Sequence, residues 1–188
     1  ICEIDKEKGM LRIVYRIAGE GTKEFSSLVS GDTIDILGPL GNGFPMEEVK
    51  GKKVFMMGGG IGIPPMVQTA KEAEADVTII AGYRNSEIFL QEDLEKNGRL
   101  VVATEDGSVG TKGNVMDAIR ENNLTADVIF ACGPTPMLRA IKNYAEENNI
   151  LCYISMEERM ACGVGACLGC ACKTKREEKQ DETYSHVC

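Results

Sequence analysis

The sequence predicts an α/β fold: a five-stranded parallel sheet with helices on both faces, preceded by a short β-rich segment and followed by a small cysteine loop. Three observations predict it. From Lys52 onward, short apolar runs bounded by turn residues alternate with stretches of helical periodicity, the pattern of strands joined by crossover helices. Those runs are apolar at consecutive positions, as strands covered on both faces require. After Met156 the periodicity stops, and four of the eight cysteines fall between Cys162 and Cys172.

Residues 1–50 have a β texture. "ICEID" and "MLRIVYRIA" are separated by "KEKG", a hairpin turn closed by Gly9. "DTIDILG" alternates apolar and polar residues, the pattern of a half-buried strand, and "GPLGNGFP" ends the segment in turn formers. A hairpin and one more strand do not make a self-sufficient sheet, so 1–50 reads as the C-terminal part of a larger β domain. The chain opens at Ile1 in what reads as a strand and stops on Cys188 after a polar stretch. It therefore reads as a portion of a longer protein.

Residues 51–156 supply the five strands: "KVFMMGGG", "DVTIIAGYR", "RLVVATED", "DVIFACGP" and "LCYISM". Between the first two, Met66, Val67, Ala70 and Ala73 fall on one helix face, and after the fourth so do Met137, Leu138, Ile141, Tyr144 and Ala145. "SEIFLQEDLEKNG" and "GNVMDAIRENN" read as shorter helices, the first with Ser86 placed as its cap. Residues 157–188 form the third region, a cysteine loop.

Composition narrows the function. A formal net charge of −8 with no basic stripe argues against a nucleic-acid partner. The longest apolar runs, such as "VTIIAG", are too short to span a bilayer, and no basic-then-apolar leader opens the chain. A cytoplasmic location follows, in which the eight cysteines serve as metal ligands or reduced thiols rather than disulfides.

The cysteine spacing is Cys162-x4-Cys167-x2-Cys170, with seventeen residues between Cys170 and Cys188. This is the plant-type arrangement for a [2Fe–2S] cluster. Four thiolates must converge on two irons, so the backbone curls tightly, and Gly163, Gly165 and Gly169 permit that. Amides freed from regular structure can then bond the sulfurs and tune the potential. Cys172 reads as a bystander. A structural zinc site more often uses two C-x2-C knuckles, and only one such pair is present; a glycine loop with buried free thiols is the bland alternative.

"VFMMGGGIGIPPM" runs from a strand into a helix. Gly58, Gly59, Gly60 and Gly62 expose amides, and Pro64 and Pro65 suit the first helical turn, so the stretch can hold a pyrophosphate. It departs from G-x-G-x-x-G, because Ile63 stands at the third glycine. "ACGPTPM" ends another strand at Cys132, with Gly133 and Pro134 breaking it. Ligands of open α/β sheets bind beyond the carboxyl ends of strands, which puts Cys132 at the mouth of the same crevice. Its alternative reading is a small buried hydrophobe.

The pairing of "GGGIGIPPM" with "CGPTPM" resembles the ferredoxin–NADP reductase superfamily, in which a flavin β-barrel precedes a nicotinamide-binding α/β domain. With "TEDGSVGTKGNV" and "ERMACGVGACLGCACK" added, the chain from Ile1 to Cys188 is similar to the electron-transfer subunits of NAD-dependent (type B) dihydroorotate dehydrogenases. The resemblance implies that residues 1–50 are the remnant of an FAD-binding barrel, with FAD contacts at Val14, Tyr15, Arg16, Gly21 and Thr22. It implies an NAD-binding domain over 51–156, the nucleotide lying over Gly58, Gly59, Gly60 and Gly62 and near Cys132, Gly133 and Pro134. Cys132 would pack near the nicotinamide and help set hydride-transfer geometry. The cluster ligands would be Cys162, Cys167, Cys170 and Cys188. The implied partner is an FMN-bearing dihydroorotate dehydrogenase catalytic subunit in a hetero-oligomer serving pyrimidine biosynthesis. In this sequence the family's Arg-x-x-Ser flavin motif would fall before Ile1, and the interval to Cys188 is long for the family.

Rival readings are a subunit of another flavin/Fe–S oxidoreductase, of the NADH-dependent ferredoxin–NADP reductase or sulfide dehydrogenase type, and a non-catalytic zinc-binding module. In the first group an Asp can replace one cluster cysteine, so Cys162 favors the dihydroorotate family. Arg84, with no acid before Glu87, leans toward NADP by the Rossmann rule, whereas the resemblance implies NAD. His186 is the only histidine and reads as a surface residue near the cluster.

Overall fold

The computed structural model describes residues 1–176 and 179–188. The chain divides into two compact units, Ile1–Ser26 with Phe44–Ser155, and Ser27–Gly43 with Met156–Cys188.

The first unit opens with an antiparallel hairpin, β1 (Glu3–Asp5) and β2 (Met10–Arg12), whose turn ends at Gly9 with φ +63°. A short helix, α1 (Glu20–Phe25), follows. The sheet is built from β3 (Lys53–Gly59), β4 (Asp76–Tyr83), β5 (Arg99–Thr104), β6 (Thr111–Lys112), β7 (Val128–Cys132) and β8 (Leu151–Ser155). Its order is β6-β5-β4-β3-β7-β8 and every pairing is parallel. The sheet therefore has six strands, not the five expected. β6 has only two residues inside the glycine-rich "DGSVGTKG" loop, too short to carry an apolar period. The buried Thr111 secures it, its hydroxyl accepting from the Asn122 side chain at 3.3 Å.

The helices are α2 (Pro64–Glu72), α3 (Gln91–Glu95), α4 (Val115–Glu121) and α5 (Thr135–Glu147). Successive residues of β3 explain the uninterrupted apolar run: Val54 and Met56 join the core under α2, with Met66, Val67 and Ala70. Phe55 and Met57 join the opposite core, with Ala118 and Ile119 of α4 and Leu138, Ile141 and Ala145 of α5. Each large side chain so covered contributes about 1.5–3 kcal/mol. Asn114 caps α4, accepting from the Met116 and Asp117 amides while the Asp117 carboxylate accepts from the Asn114 amide at 2.9 Å, a reciprocal capping box.

Two further expectations are corrected. Ser86 does not cap a helix, because α3 starts at Gln91. The Asn85 side chain accepts from the Glu87 amide, and the Tyr83 hydroxyl donates to the Phe89 carbonyl; these bonds hold residues 85–89 as a turn. "DTIDILG" forms no ladder among the described residues, and Ile34, Ile36 and Leu37 are exposed. Alternation alone does not make a strand without a hydrogen-bonding neighbor.

In the second unit, the cysteine loop runs into an antiparallel hairpin, β9 (Ala171–Arg176) and β10 (Lys179–His186), with Ala171 opposite His186. Of the acidic stretch "KREEKQDE", Glu177 and Glu178 lie outside the described residues. No helix among the described residues is long and apolar enough to cross a membrane.

Candidate functional site

The strand order reverses beside β3: the chain steps outward through β4, β5 and β6, then returns to place β7 on the other side. Crevices of open sheets form at such a switch point. The carboxyl ends of β3 and β7 meet there, with Gly58 paired to Cys132. Gly60–Gly62 forms a single 3₁₀ turn leading into α2, with Pro64 and Pro65 in its first turn. Gly62 is required by close approach, since a Cβ there would run into the Cys132 carbonyl and lie 2.7 Å from the Gly133 nitrogen. Gly60 has φ +54° and no atom within 4 Å of where its side chain would start. The turn thus presses its backbone against β7 on one side and leaves Gly60 open on the other, a cradle that fits a dinucleotide's phosphates. Gly59 and Gly133 approach each other, and Cys132 is buried among the core residues under α2. Pro134 precedes the first turn of α5. Arg84 is exposed at the end of β4.

Val14 is half-buried against the core, Tyr15 lies edge-to-face with Phe25 at 6.0 Å, and Arg16 is exposed. Gly21 and Thr22 sit in the first turn of α1. The Thr22 hydroxyl accepts from the Ala18 and Gly19 amides and donates to the Gly19 carbonyl. Exposed Arg16 and the open space at Gly21 fit a phosphate-bearing ligand, while Thr22 is committed to its own turn.

In the second unit, the four cysteines form two pairs. The Cys170 and Cys188 sulfurs stand 3.2 Å apart, brought together because β9 and β10 fold the intervening residues back and the Val187 amide donates to the Cys170 carbonyl at 3.3 Å. Cys162 and Cys167 form the other pair, the Cys167 amide donating to the Cys162 sulfur at 3.4 Å. The Gly165 amide donates to Cys188 at 3.1 Å, and the Gly169 amide to Cys167 at 3.4 Å. Gly165 takes φ +74°, and the ring of exposed His186 lies 3.5 Å from where its Cβ would be.

Backbone donors set the thiol acidities. The amides of Val164 and Cys167, then the Cys167 thiol, pull the Cys162 pKa down to about 6. Hydrogen bonds from Cys188 hold Cys170 low, and the same contact pushes Cys188 up, so the shared proton sits on Cys188. The Cys162 charge also acts on Cys170 and Cys188, so the two pairs are electrostatic neighbors. No group of three or more His, Cys, Asp or Glu side chains among the described residues is arranged to hold one metal ion. Two thiol pairs with amides aimed at the sulfurs suit a dinuclear cluster, one pair to each iron, better than a single tetrahedral zinc. Cys172 stands outside the pairs, with burial and then Glu158 raising its pKa.

In cluster-free protein, Cys162 is expected to alkylate fastest with iodoacetamide at pH 7, because the thiolate is the nucleophile. Its rate should fall as pH drops through about 6. Cys152, raised to about 11 by burial, and wholly buried Cys2 should stay unmodified. Mass spectrometry of the labeled peptides checks this order.

Comparison with known proteins supplies the family. The iron-sulfur cluster binding domain of dihydroorotate dehydrogenase B matches residues 157–188, and the oxidoreductase NAD-binding domain matches 56–143. The electron transfer subunit of dihydroorotate dehydrogenase B (NAD(+)) of Caldanaerobacter subterraneus is 45% identical, over 98% of this chain and 73% of its own length. That of Fusobacterium nucleatum is 43% identical over 100% and 73%. The chain belongs to the family of dihydroorotate dehydrogenase B electron transfer subunits. It is thus an oxidoreductase component with an iron–sulfur and an NAD-binding region. A solved NADH-dependent reduced ferredoxin-NADP oxidoreductase, studied for flavin-based electron bifurcation, aligns with TM-score 0.78 and 32% identity over 90% of this chain and 63% of its own. A flavohemoglobin from Malassezia yamatoensis, at TM-score 0.60 and 22% identity over 76% of this chain and 42% of its own, shares the fold alone.

Sequence reasoning did not single out the Val164 and Ala166 amides that bond Cys162, since any residue supplies an amide. It marks Met137 only as part of the α5 stripe, although the residue falls one turn beyond "CGP", beside the crevice.

Proposed function

We propose that this chain relays electrons from the FMN-bearing catalytic subunit of a dihydroorotate dehydrogenase through a [2Fe–2S] cluster and FAD to NAD⁺, in cytoplasmic pyrimidine biosynthesis. The observation that carries the reading is the pairing of four thiols, Cys162 with Cys167 and Cys170 with Cys188, with backbone amides directed at their sulfurs. When bound, the cluster passes electrons singly and the flavin collects two for release as hydride. The chain's own residues position these groups. Residues 157–188 hold the cluster through the four cysteines. Residues 51–156 take NAD over Gly58, Gly59, Gly60 and Gly62, with Cys132, Gly133 and Pro134 beside the nicotinamide. Residues 1–50 contribute Val14, Tyr15, Arg16, Gly21 and Thr22 to the FAD site of a barrel.

The test is a visible and electron paramagnetic resonance spectrum of anaerobically prepared protein with iron, sulfide, zinc and flavin quantified. Iron and sulfide in equal amounts are expected; colorless protein holding zinc overturns the reading. The alignment to the ferredoxin-NADP oxidoreductase favors a second reading, a subunit of that enzyme type. Higher identity to the dihydroorotate dehydrogenase subunits favors the first, and reduction of the assembled complex by dihydroorotate decides between them. NAD is the expected nucleotide despite Arg84, which a comparison of NAD⁺ and NADP⁺ affinities checks.

Cys132→Ala is expected to slow flavin–nicotinamide exchange about tenfold, the scale of a small misplacement of reacting groups, and to leave the cluster spectrum unchanged. Stopped-flow oxidation of NADH by the assembled protein measures it; an unaltered rate removes Cys132 from the site.

A further inference from the structure

The geometry points to Met137 as a positioning residue that clamps the two glycine turns of the nucleotide crevice against each other; this rests on the reading of that crevice as the NAD site. Met137 lies one turn into α5, half-buried against the core that α4 and α5 cover. Its sulfur is 2.6 Å from where a Cβ on Gly59 would stand, and its methyl is 2.7 Å from the corresponding point on Gly133. Gly59 ends β3 and Gly133 follows β7, and the Gly133 Cβ position is 3.1 Å from the Gly59 nitrogen. Neither glycine has a side chain to fill the gap between them. The thioether does so from below, touching both.

The consequence is functional because the two turns carry different parts of the proposed site. The β3 turn supplies amides for the phosphates, and the β7 turn places Cys132 and Pro134 beside the nicotinamide. One flexible, polarizable side chain couples them, so that the spacing between the phosphate cradle and the nicotinamide wall is fixed before the nucleotide arrives. Removing it leaves a void under both turns, and the preorganization that favors binding is lost.

The test uses the full protein assembled with its partner, flavin and cluster. In isothermal titration with NAD⁺, Met137→Ala is expected to bind about tenfold more weakly, with KM for NADH rising in step and kcat little changed, the signature of lost binding common to ground and transition states. Met137→Leu, close in volume, is expected to restore affinity. Ile141→Ala, which opens a cavity in the same core one turn further along α5, is expected to lower the thermal midpoint but leave NAD⁺ affinity intact. The proposal is overturned if Met137→Ala binds NAD⁺ like the parent, or if Ile141→Ala weakens binding equally. Failure of the parent itself to bind NAD⁺ counts against the crevice assignment instead.

Discussion

Cys170→Ala is expected to yield colorless protein that neither retains iron nor passes electrons to NAD⁺, whereas Cys172→Ala is expected to keep both. The contrast follows from where the two sulfurs lie. The Cys170 thiol is buried, 3.2 Å from Cys188, and held in its acidic form by that neighbor. Metal binding needs deprotonated thiolates, and this pair provides one already poised and a second that loses its proton when the metal displaces it. Cys172 sits two residues on in β9, its thiol pointing back at the Cys170 carbonyl at 3.8 Å, its pKa raised rather than lowered. Truncating a group that only orients a ligand costs about 10–100-fold in metal affinity, so deleting a ligand is expected to exceed that range. Cys188→Ala should match Cys170→Ala, because each pair serves one iron. Iron content and visible absorbance of anaerobic preparations decide; a brown, iron-loaded Cys170→Ala protein would sink the paired-ligand assignment.

What the sequence made legible follows the reach of its signals. Five strands and the two longer helices were readable because burial on both faces writes itself as consecutive apolar residues, as at Val54 to Met57, and burial on one face as a stripe, as at Leu138, Ile141 and Ala145. β6 was not, since two residues carry no period and Thr111 holds its place through one side-chain bond. Ser86 misled because capping residues also open turns, and here Asn85 captures the Glu87 amide first. The alternation in "DTIDILG" was real, but a strand is a relation between two segments. At the site, cysteine spacing announced three neighbors in the loop, yet the nearness of Cys188 depends on the hairpin register that sets Ala171 against His186. Nor does any residue type announce a backbone amide aimed at a sulfur.

Gly62→Ala is expected to be the most damaging single-methyl change in the first unit. Its Cβ would meet the carbonyl of Cys132, with the Gly133 nitrogen 2.7 Å away. Both are backbone atoms at the end of a strand hydrogen-bonded on both sides, between β3 and β8, so neither can swing aside as a side chain would. The turn must instead lift away from β7, and Pro64 and Pro65 restrict how the entry to α2 can follow. Overpacking of this kind costs about 2 kcal/mol, which for a chain of this size lowers the thermal midpoint by roughly 4–8 °C. NAD⁺ affinity should fall more than about tenfold, because a lifted turn no longer presents its amides where a bound phosphate would need them. Gly60→Ala provides the comparison. That residue has a left-handed φ but nothing within 4 Å of the new methyl, so its cost is confined to the backbone, roughly 1 kcal/mol. Thermal unfolding and NAD⁺ titration of both variants test the ordering. If Gly60→Ala proves the more destabilizing, the close backbone approach at Gly62 is not what holds the switch point together.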